Sequence, residues 1–376
     1  MKNPKYITRL KQVAELSEEQ KDELRVVTEK FVFRSNDYYQ QLIDWNDPDD
    51  PIKQLIMPNI REMDDFGKLD ASGEHNYTRV PGLEHKYPST ALLLCSDVCA
   101  GYCRYCFRKR LFMNDNEEVV KDIKPGLAYI RRHPEISNVL LTGGDPLILA
   151  TLRLEEIFEQ LFAIPHVRIV RVGTKLPAFN PYRILNDPKL LDLLGKYRSR
   201  DRQVYIMAHF DHPRELTVPA VDGLRALLDA GACVVNQHPI IRGVNDSTET
   251  LRELWDSLSF IGVPPYYVFQ CRPTAGNGPY VTPIERNMAM IEAARAQASG
   301  LAKRVRFVMS HMTGKIEPVA MTAKLIVFRY HNAAEPQNEG RVMIFGRNPE
   351  AYWLDDYRNI ISTHVMADEV LADLAA

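Results

Sequence analysis

The chain has 376 residues, 45% hydrophobic and 26% charged, with a formal net charge of −2. Such a composition is that of a soluble globular protein of one large domain with additions, or of two domains, and it excludes a general attraction to nucleic acid or anionic lipid. No apolar run approaches the ~20 residues that span a bilayer, and the first residues, Met1 to Tyr6, lack the apolar core of a signal peptide.

Up to about Gly82 the chain reads as polar and mostly helical. Ser17-Glu-Glu-Gln20 is a capping box, and Asp47-Pro-Asp-Asp-Pro51 is a turn cluster ahead of a short apolar helix from Ile52 to Met57. This region, residues 1–82, shows no chemistry of its own and is expected to pack against the main domain. From about Ser89, short apolar runs recur: Ala91–Cys95, Val139–Thr142, Arg168–Val172, Val204–His209, Cys233–His238, Tyr266–Cys271 and Val305–Met309. Helical stretches lie between them, such as Leu152–Phe162, Pro213–Ala230, Ser247–Phe260 and Ile284–Ser299. Strand and helix in alternation predict a parallel sheet wrapped by helices, an α/β barrel or part of one, over residues 83–316. Residues 317–376 read as a C-terminal extension with strands at Lys324–Tyr330 and Arg341–Phe345 and a closing amphipathic helix. A barrel places its site at the C-terminal ends of its strands. The polar clusters obey that rule, since each follows an apolar run: Gly143-Gly-Asp, Gly173-Thr-Lys, His209-Phe-Asp-His, Asn236-Gln-His, Gln270-Cys-Arg and Ser310 to Lys315.

The first such cluster is the most specific. Cys99, Cys103 and Cys106 form C-x3-C-x2-C directly after the first run. Three thiolates on one loop can hold three irons of a four-iron cluster and leave the fourth open for a ligand. Half a zinc site is the weaker alternative, because no fourth Cys or His follows at short spacing; a disulfide framework does not suit a long chain with six cysteines. Cys95, Cys233 and Cys271 fall in apolar segments and read as buried small hydrophobes. Reduced thiols and an oxygen-sensitive cluster point to the cytoplasm.

The cysteine spacing is similar to that of the radical S-adenosylmethionine (radical SAM) enzymes. The longer stretches Pro81 to Pro88, Leu94 to Arg110, Leu141 to Leu147, Ile164 to Thr174, His209 to Pro213 and Asn236 to Asp246 resemble, in the same order, the lysine 2,3-aminomutase family. The resemblance implies a partial (β/α) barrel of the radical SAM type with helical N-terminal and mixed C-terminal additions. It implies three cofactors: a 4Fe-4S cluster, SAM, and pyridoxal 5′-phosphate (PLP). The implied reaction moves an α-amino group to the β-carbon of a small amino acid substrate, with a reducing electron donor and a homo-oligomeric assembly.

Residue by residue, Gly143, Gly144 and Asp145 match the element that meets the amino group of SAM, and His209 and Gln237 fall among the SAM contacts. Lys315 stands where the family has its PLP lysine, although the run before it is less glycine-rich. Lys86 and Tyr87 stand for an Arg-Tyr pair at the PLP phosphate, and a further family arginine is Thr90 here. Arg108 matches the arginine for the substrate α-carboxylate. Arg272 replaces an aspartate that holds the distal ammonium of lysine, and the second such aspartate has no counterpart. This charge reversal favours an acidic substrate, with L-glutamate leading. The alternatives are a lysine substrate, free or protein-bound, which would require an acid elsewhere, and an iron–sulfur protein that does not use PLP. No cysteine follows Cys271, so the C-terminal zinc of some family members is not expected.

Overall fold

The computed structural model describes residues 3–113 and 118–364. Two short strands, β1 (Tyr6–Ile7) and β2 (Ser35–Asn36), pair antiparallel beside the main body. All other strands form one sheet of thirteen, in sequence order from edge to edge. β3 (Thr78–Val80) and β4 (Leu83–Tyr87) make an antiparallel edge. Then come β5 (Thr90–Ser96), β6 (Asn138–Gly143), β7 (Ile169–Thr174), β8 (Gln203–Ala208), β9 (Cys233–Pro239), β10 (Pro265–Phe269) and β11 (Arg306–His311). These seven pair parallel and coincide with the seven apolar runs. The other edge is antiparallel: β12 (Gly314–Met321), β13 (Leu325–Ala333), β14 (Val342–Gly346) and β15 (Ile360–His364).

Parallel neighbours need crossover connections, and helices supply them. The helix Thr151–Phe162 buries Leu154, Ile157, Phe158 and Leu161 on one stripe, while β6 and β7 bury Val139, Leu141, Val170 and Val172 beneath such helices. Each such side chain removed from water contributes about 1.5–3 kcal/mol. Ser247 caps the helix Thr248–Phe260 by accepting the Thr250 N–H at 3.1 Å. The Ser17 capping box is present at the helix Glu18–Lys30, with Gln20 and Ser17 exchanging bonds of 2.9 and 3.2 Å.

The barrel is partial, since no ladder joins its edges. Side chains bridge the gap instead. Lys86 on β4 donates to the carbonyl of His311 at the end of β11. Ser72 donates to the Ser310 carbonyl at 2.9 Å, and Tyr77 to the Met312 carbonyl at 2.6 Å. The N-terminal region therefore sits across the barrel mouth, which its polar sequence did not announce. Beyond the thirteen-residue helix Glu18–Lys30 its helices are short and its chain largely irregular. The expected C-terminal helix lies outside the described residues. Among those described, no helix is long and apolar enough to cross a membrane.

The same region braces the cysteine loop from below. The Arg104 N–H donates to the Leu55 carbonyl at 3.0 Å, and the Arg104 side chain meets Glu62 in a fork of 2.8 and 2.7 Å. Lys109 and Tyr280 also reach Glu62, at 3.4 and 3.1 Å. Glu62 is 0% and Arg104 2% exposed, so deleting Glu62 leaves Arg104 buried without its counter-charge. Glu62→Ala should lower the unfolding free energy by about 3–5 kcal/mol in urea titration. A loss below about 1 kcal/mol, the scale of an exposed ion pair, would remove this brace from the account.

Candidate active site

The three cysteines occupy the loop after β5, each half-buried and none in a disulfide. Burial pushes the Cys103 thiol up to about 12 and raises Cys99 and Cys106 as well; Cys99 also feels the Asp145 carboxylate and both other thiols. Lys175 opposes this at Cys103, and Lys109, Arg108 and Arg110 oppose it at Cys106. Three thiols that sense one another, in a desolvated loop ringed by cations, suit an anionic iron–sulfide centre, whose irons would hold them as thiolates. A small cavity lined by Phe31, Val32, Tyr102, Lys109 and Phe112 lies against Cys103 and Cys106.

The Gly-Gly-Asp turn is built around this loop. The Gly144 N–H donates to the Ser96 carbonyl at 2.6 Å and the Asp145 N–H to the Val98 carbonyl at 2.9 Å. Gly143 has φ +109°, and a Cβ on Gly144 would lie 2.5 Å from the Val98 oxygen, so only glycine fits. Asp145 accepts from the Leu147 N–H (3.0 Å), the Thr174 hydroxyl (2.8 Å) and the Lys175 N–H (2.9 Å). A carboxylate has about four acceptor directions, so these bonds leave one for the ammonium expected there. Burial raises Asp145 to about 6 against those hydrogen bonds.

His209, just past β8, lies 3.0 Å from Asp211 and 3.1 Å from the Tyr105 hydroxyl on the cysteine loop. Asp211 and Glu215 each pair with Lys175 at 2.6 Å. Burial works against ionisation of Asp211, but His209 and Lys175 outweigh it and hold the carboxylate well below its usual range. Gln237 shares the half-buried face of β9 with Val235, while Val234, Asn236 and His238 are buried on the other. The barrel's open end thus gathers His209 and the cysteine loop on one side.

Lys315 falls on β12, not in the loop expected of it. It pairs with Ser310 across a tight hairpin in which a Cβ on Gly314 would lie 2.5 Å from the Asn332 carbonyl oxygen. Its Nζ lies 4.4 Å from the Tyr267 ring centre and 5.9 Å from that of Tyr87. Burial lowers its ammonium to about 7, helped by the charges of Arg171, Arg272 and Lys86. Lys86 is lowered to about 8 by burial and then by Arg272. Arg171 was not anticipated. It sits on β7 between the buried Val170 and Val172, and its Nε is buried with no hydrogen-bond partner. A cation between two apolar neighbours in a barrel strand was the available signal.

Arg108 is buried rather than part of a solvated basic run. Its Nε and Nη2 meet Glu74 at 3.2 and 3.1 Å, and its Nη1 donates to Thr142 at 2.7 Å. Arg272 stacks on the Phe107 ring, 3.6 Å from its centre, and its Nη1 lies 3.4 Å from Glu74. Arg110 reaches Glu74 too, at 2.8 Å. One carboxylate therefore serves three guanidinium groups. Burial would raise its pKa, but Arg108, Arg272 and Arg110 hold it far below the usual range. Glu84, on β4, lies 3.7 Å from Arg108, and its Oε1 is buried without a hydrogen-bond partner. Burial and the neighbouring Glu74 raise it to about 7. Neither glutamate was singled out from the sequence.

Residues 93–254 match the radical SAM superfamily. Over 364 residues the chain is 57% identical to a protein of Aquifex aeolicus provisionally named an L-lysine 2,3-aminomutase, covering 96% of this chain and 97% of that one. It is 36% identical to L-lysine 2,3-aminomutase of Clostridium subterminale (78% and 70% covered) and 35% identical to glutamate 2,3-aminomutase of Clostridioides difficile (78% and 68% covered). The chain belongs to the lysine 2,3-aminomutase family of radical SAM enzymes. Its activity is that of an aminomutase, an isomerase of an amino acid.

The Gly-Gly turn gives a direct check. Gly144→Ala should lose most of the iron bound on anaerobic reconstitution, from about four atoms per chain. Gly173→Ala, whose Cβ would meet nothing closer than 3.7 Å, should keep it. Equal iron in both variants would separate the turn from the metal loop.

Proposed function

We propose that the chain is a PLP-dependent L-lysine 2,3-aminomutase. The carrying observation is the Glu74–Arg272 pair beside an unpartnered Glu84 oxygen. The glutamate expectation rested on Arg272 standing as an uncompensated cation. With Glu74 at 3.4 Å, Arg272 has a counter-ion inside the pocket, one that it shares with Arg108 and Arg110. A lysine substrate requires an acid in place of the missing aspartates, and Glu84 is a buried carboxylate in the same pocket. The 57% identical relative carries the lysine name, which supports the same reading.

Cys99, Cys103 and Cys106 would hold the cluster, and Gly143, Gly144, Asp145, His209 and Gln237 line the side where SAM would lie. Cluster and SAM together supply a hydrogen-abstracting radical; PLP supplies an aldehyde for the substrate amine and a π system over which an unpaired electron spreads. Lys315, whose ammonium is lowered to about 7 by burial, is the amine that would hold PLP. Arg171, Lys86 and the Tyr87 hydroxyl suit its phosphate, because they are near Lys315 and the Arg171 Nε is buried without a partner. Arg108 has five N–H donors, of which Glu74 and Thr142 take three. The other two, one on each Nη, are left for the substrate carboxylate. The continuous sheet joins the core, residues 83–316, to both of its additions, and the N-terminal one contributes Glu74.

Anaerobically reduced enzyme with SAM and PLP should convert L-lysine to its β-isomer with kcat/KM at least about 100-fold above that for L-glutamate. Glu84→Gln should lower the lysine value by about 30-fold or more, as removal of one member of a buried charge pair does. Turnover of glutamate and not lysine would restore Arg272 as the selecting residue. The visible absorption of bound PLP should develop with a midpoint near pH 7, because the Lys315 amine becomes uncharged as pH rises through about 7. It should vanish in Lys315→Ala. A midpoint near ~10, the ordinary lysine value, would argue against the pocket's cations acting on this amine.

A further inference from the structure

Away from the active site, His85, His133 and Glu135 bring one ligand atom each within 4.8 Å of one another. We infer that these three residues form a binding site for a borderline divalent transition-metal ion, of which Zn2+ is the reference case. Two imidazoles and a carboxylate are a zinc donor set, with water completing a tetrahedron; two ring nitrogens disfavour Mg2+ and Ca2+, which take oxygen ligands.

The surroundings prepare the donors. His85 Nε2 lies 3.1 Å from the carbonyl of Pro88, which can only accept, so that nitrogen carries the proton. The lone pair is left on Nδ1, which faces the Tyr129 hydroxyl at 3.0 Å. A ligand histidine whose other nitrogen donates to a backbone carbonyl is the arrangement that fixes a metal-binding tautomer. The His133 ring is held flat against Tyr129, with centres 4.0 Å apart and planes 20° apart, and stands 5.8 Å from the His85 ring. Glu135 lies 2.8 Å from His133 Nδ1. Both histidines are half-buried and Glu135 is exposed, so an ion can enter from solvent without opening the core.

The site joins parts of the chain that are distant in sequence. His85 lies on β4, immediately before Lys86 and Tyr87, whereas His133 and Glu135 follow the helix Lys124–Arg132. A bound ion would pin the strand that carries two active-site residues to that helix. The donor set is unrelated to the C-terminal cysteines whose absence removes the zinc of some relatives, and it does not depend on the lysine reading.

The test is Zn2+ titration of the cluster-loaded protein, whose cysteines are then occupied, by calorimetry and thermal unfolding. The expected result is about one equivalent of Zn2+ per chain and a rise in Tm, with affinity reduced about tenfold or more in both His133→Ala and Glu135→Gln. Glu135 is exposed, so Glu135→Gln keeps the fold and reads the ligand role alone. Failure of the wild type to bind at ~0.1 mM Zn2+ would overturn the proposal, as would variants that keep the wild-type affinity and the wild-type Tm shift.

Discussion

Burying positive charge is the constraint around which this site is arranged. Arg108 and Arg110, just after the cysteine loop, and Arg272, after β10, converge on one carboxylate, Glu74, itself nearly inaccessible to water. Unpaired guanidinium groups in such a place would cost several kcal/mol each. With Glu74 present, Arg108 is fixed on two edges and keeps two donors for a ligand. The turn that delivers Glu74 is anchored by Asp70, which accepts the Glu74 N–H at 3.0 Å, and by Ser72 and Tyr77 on the hairpin that carries Lys315. The N-terminal region is thus part of the catalytic pocket as well as its cover.

The pocket sorts its charges by position. Around Lys315 stand Arg171, Lys86 and Arg272, and burial together with their field lowers its ammonium to about 7. That end suits a phosphate and an aldehyde. Around Arg108 stand Glu74 and Glu84, an end that suits a zwitterion with an added ammonium. The cysteine loop lies against a third group, where Lys175, Asp211, Glu215 and Tyr105 form a closed network that leaves His209 half-buried beside it. Each region performs one task because its counter-charges are local.

Much of the fold was legible because its strands announce themselves. Seven apolar runs became seven parallel strands, and the sheet's parallel sense puts the polar residues that follow those runs at one end. The cysteine spacing and the Lys315 position were legible as motifs. Glu62, Glu74, Glu84 and Arg171 were not. Glu74 meets Arg272 across 198 positions, a pairing that no local pattern encodes. Arg171 was hidden inside a run that reads as an ordinary strand, and Glu84 lies on the short strand β4, whose sequence carries no mark that its carboxylate is buried beside Arg108. The substrate inference from Arg272 weighed that cation alone for the same reason. A side chain's charge was visible in the sequence, but its partner was not.

The central claim is that Glu74 neutralises Arg272 and so sets which substrate charge the pocket accepts. The most direct measurement is kcat/KM for L-lysine and L-glutamate in the wild type, Glu74→Gln, Arg272→Met and the double variant. The account predicts that Glu74→Gln shifts preference toward glutamate by about tenfold or more, and that adding Arg272→Met reverses the shift, a strongly non-additive cycle. Additive effects, with the preference of Glu74→Gln unchanged, would contradict it.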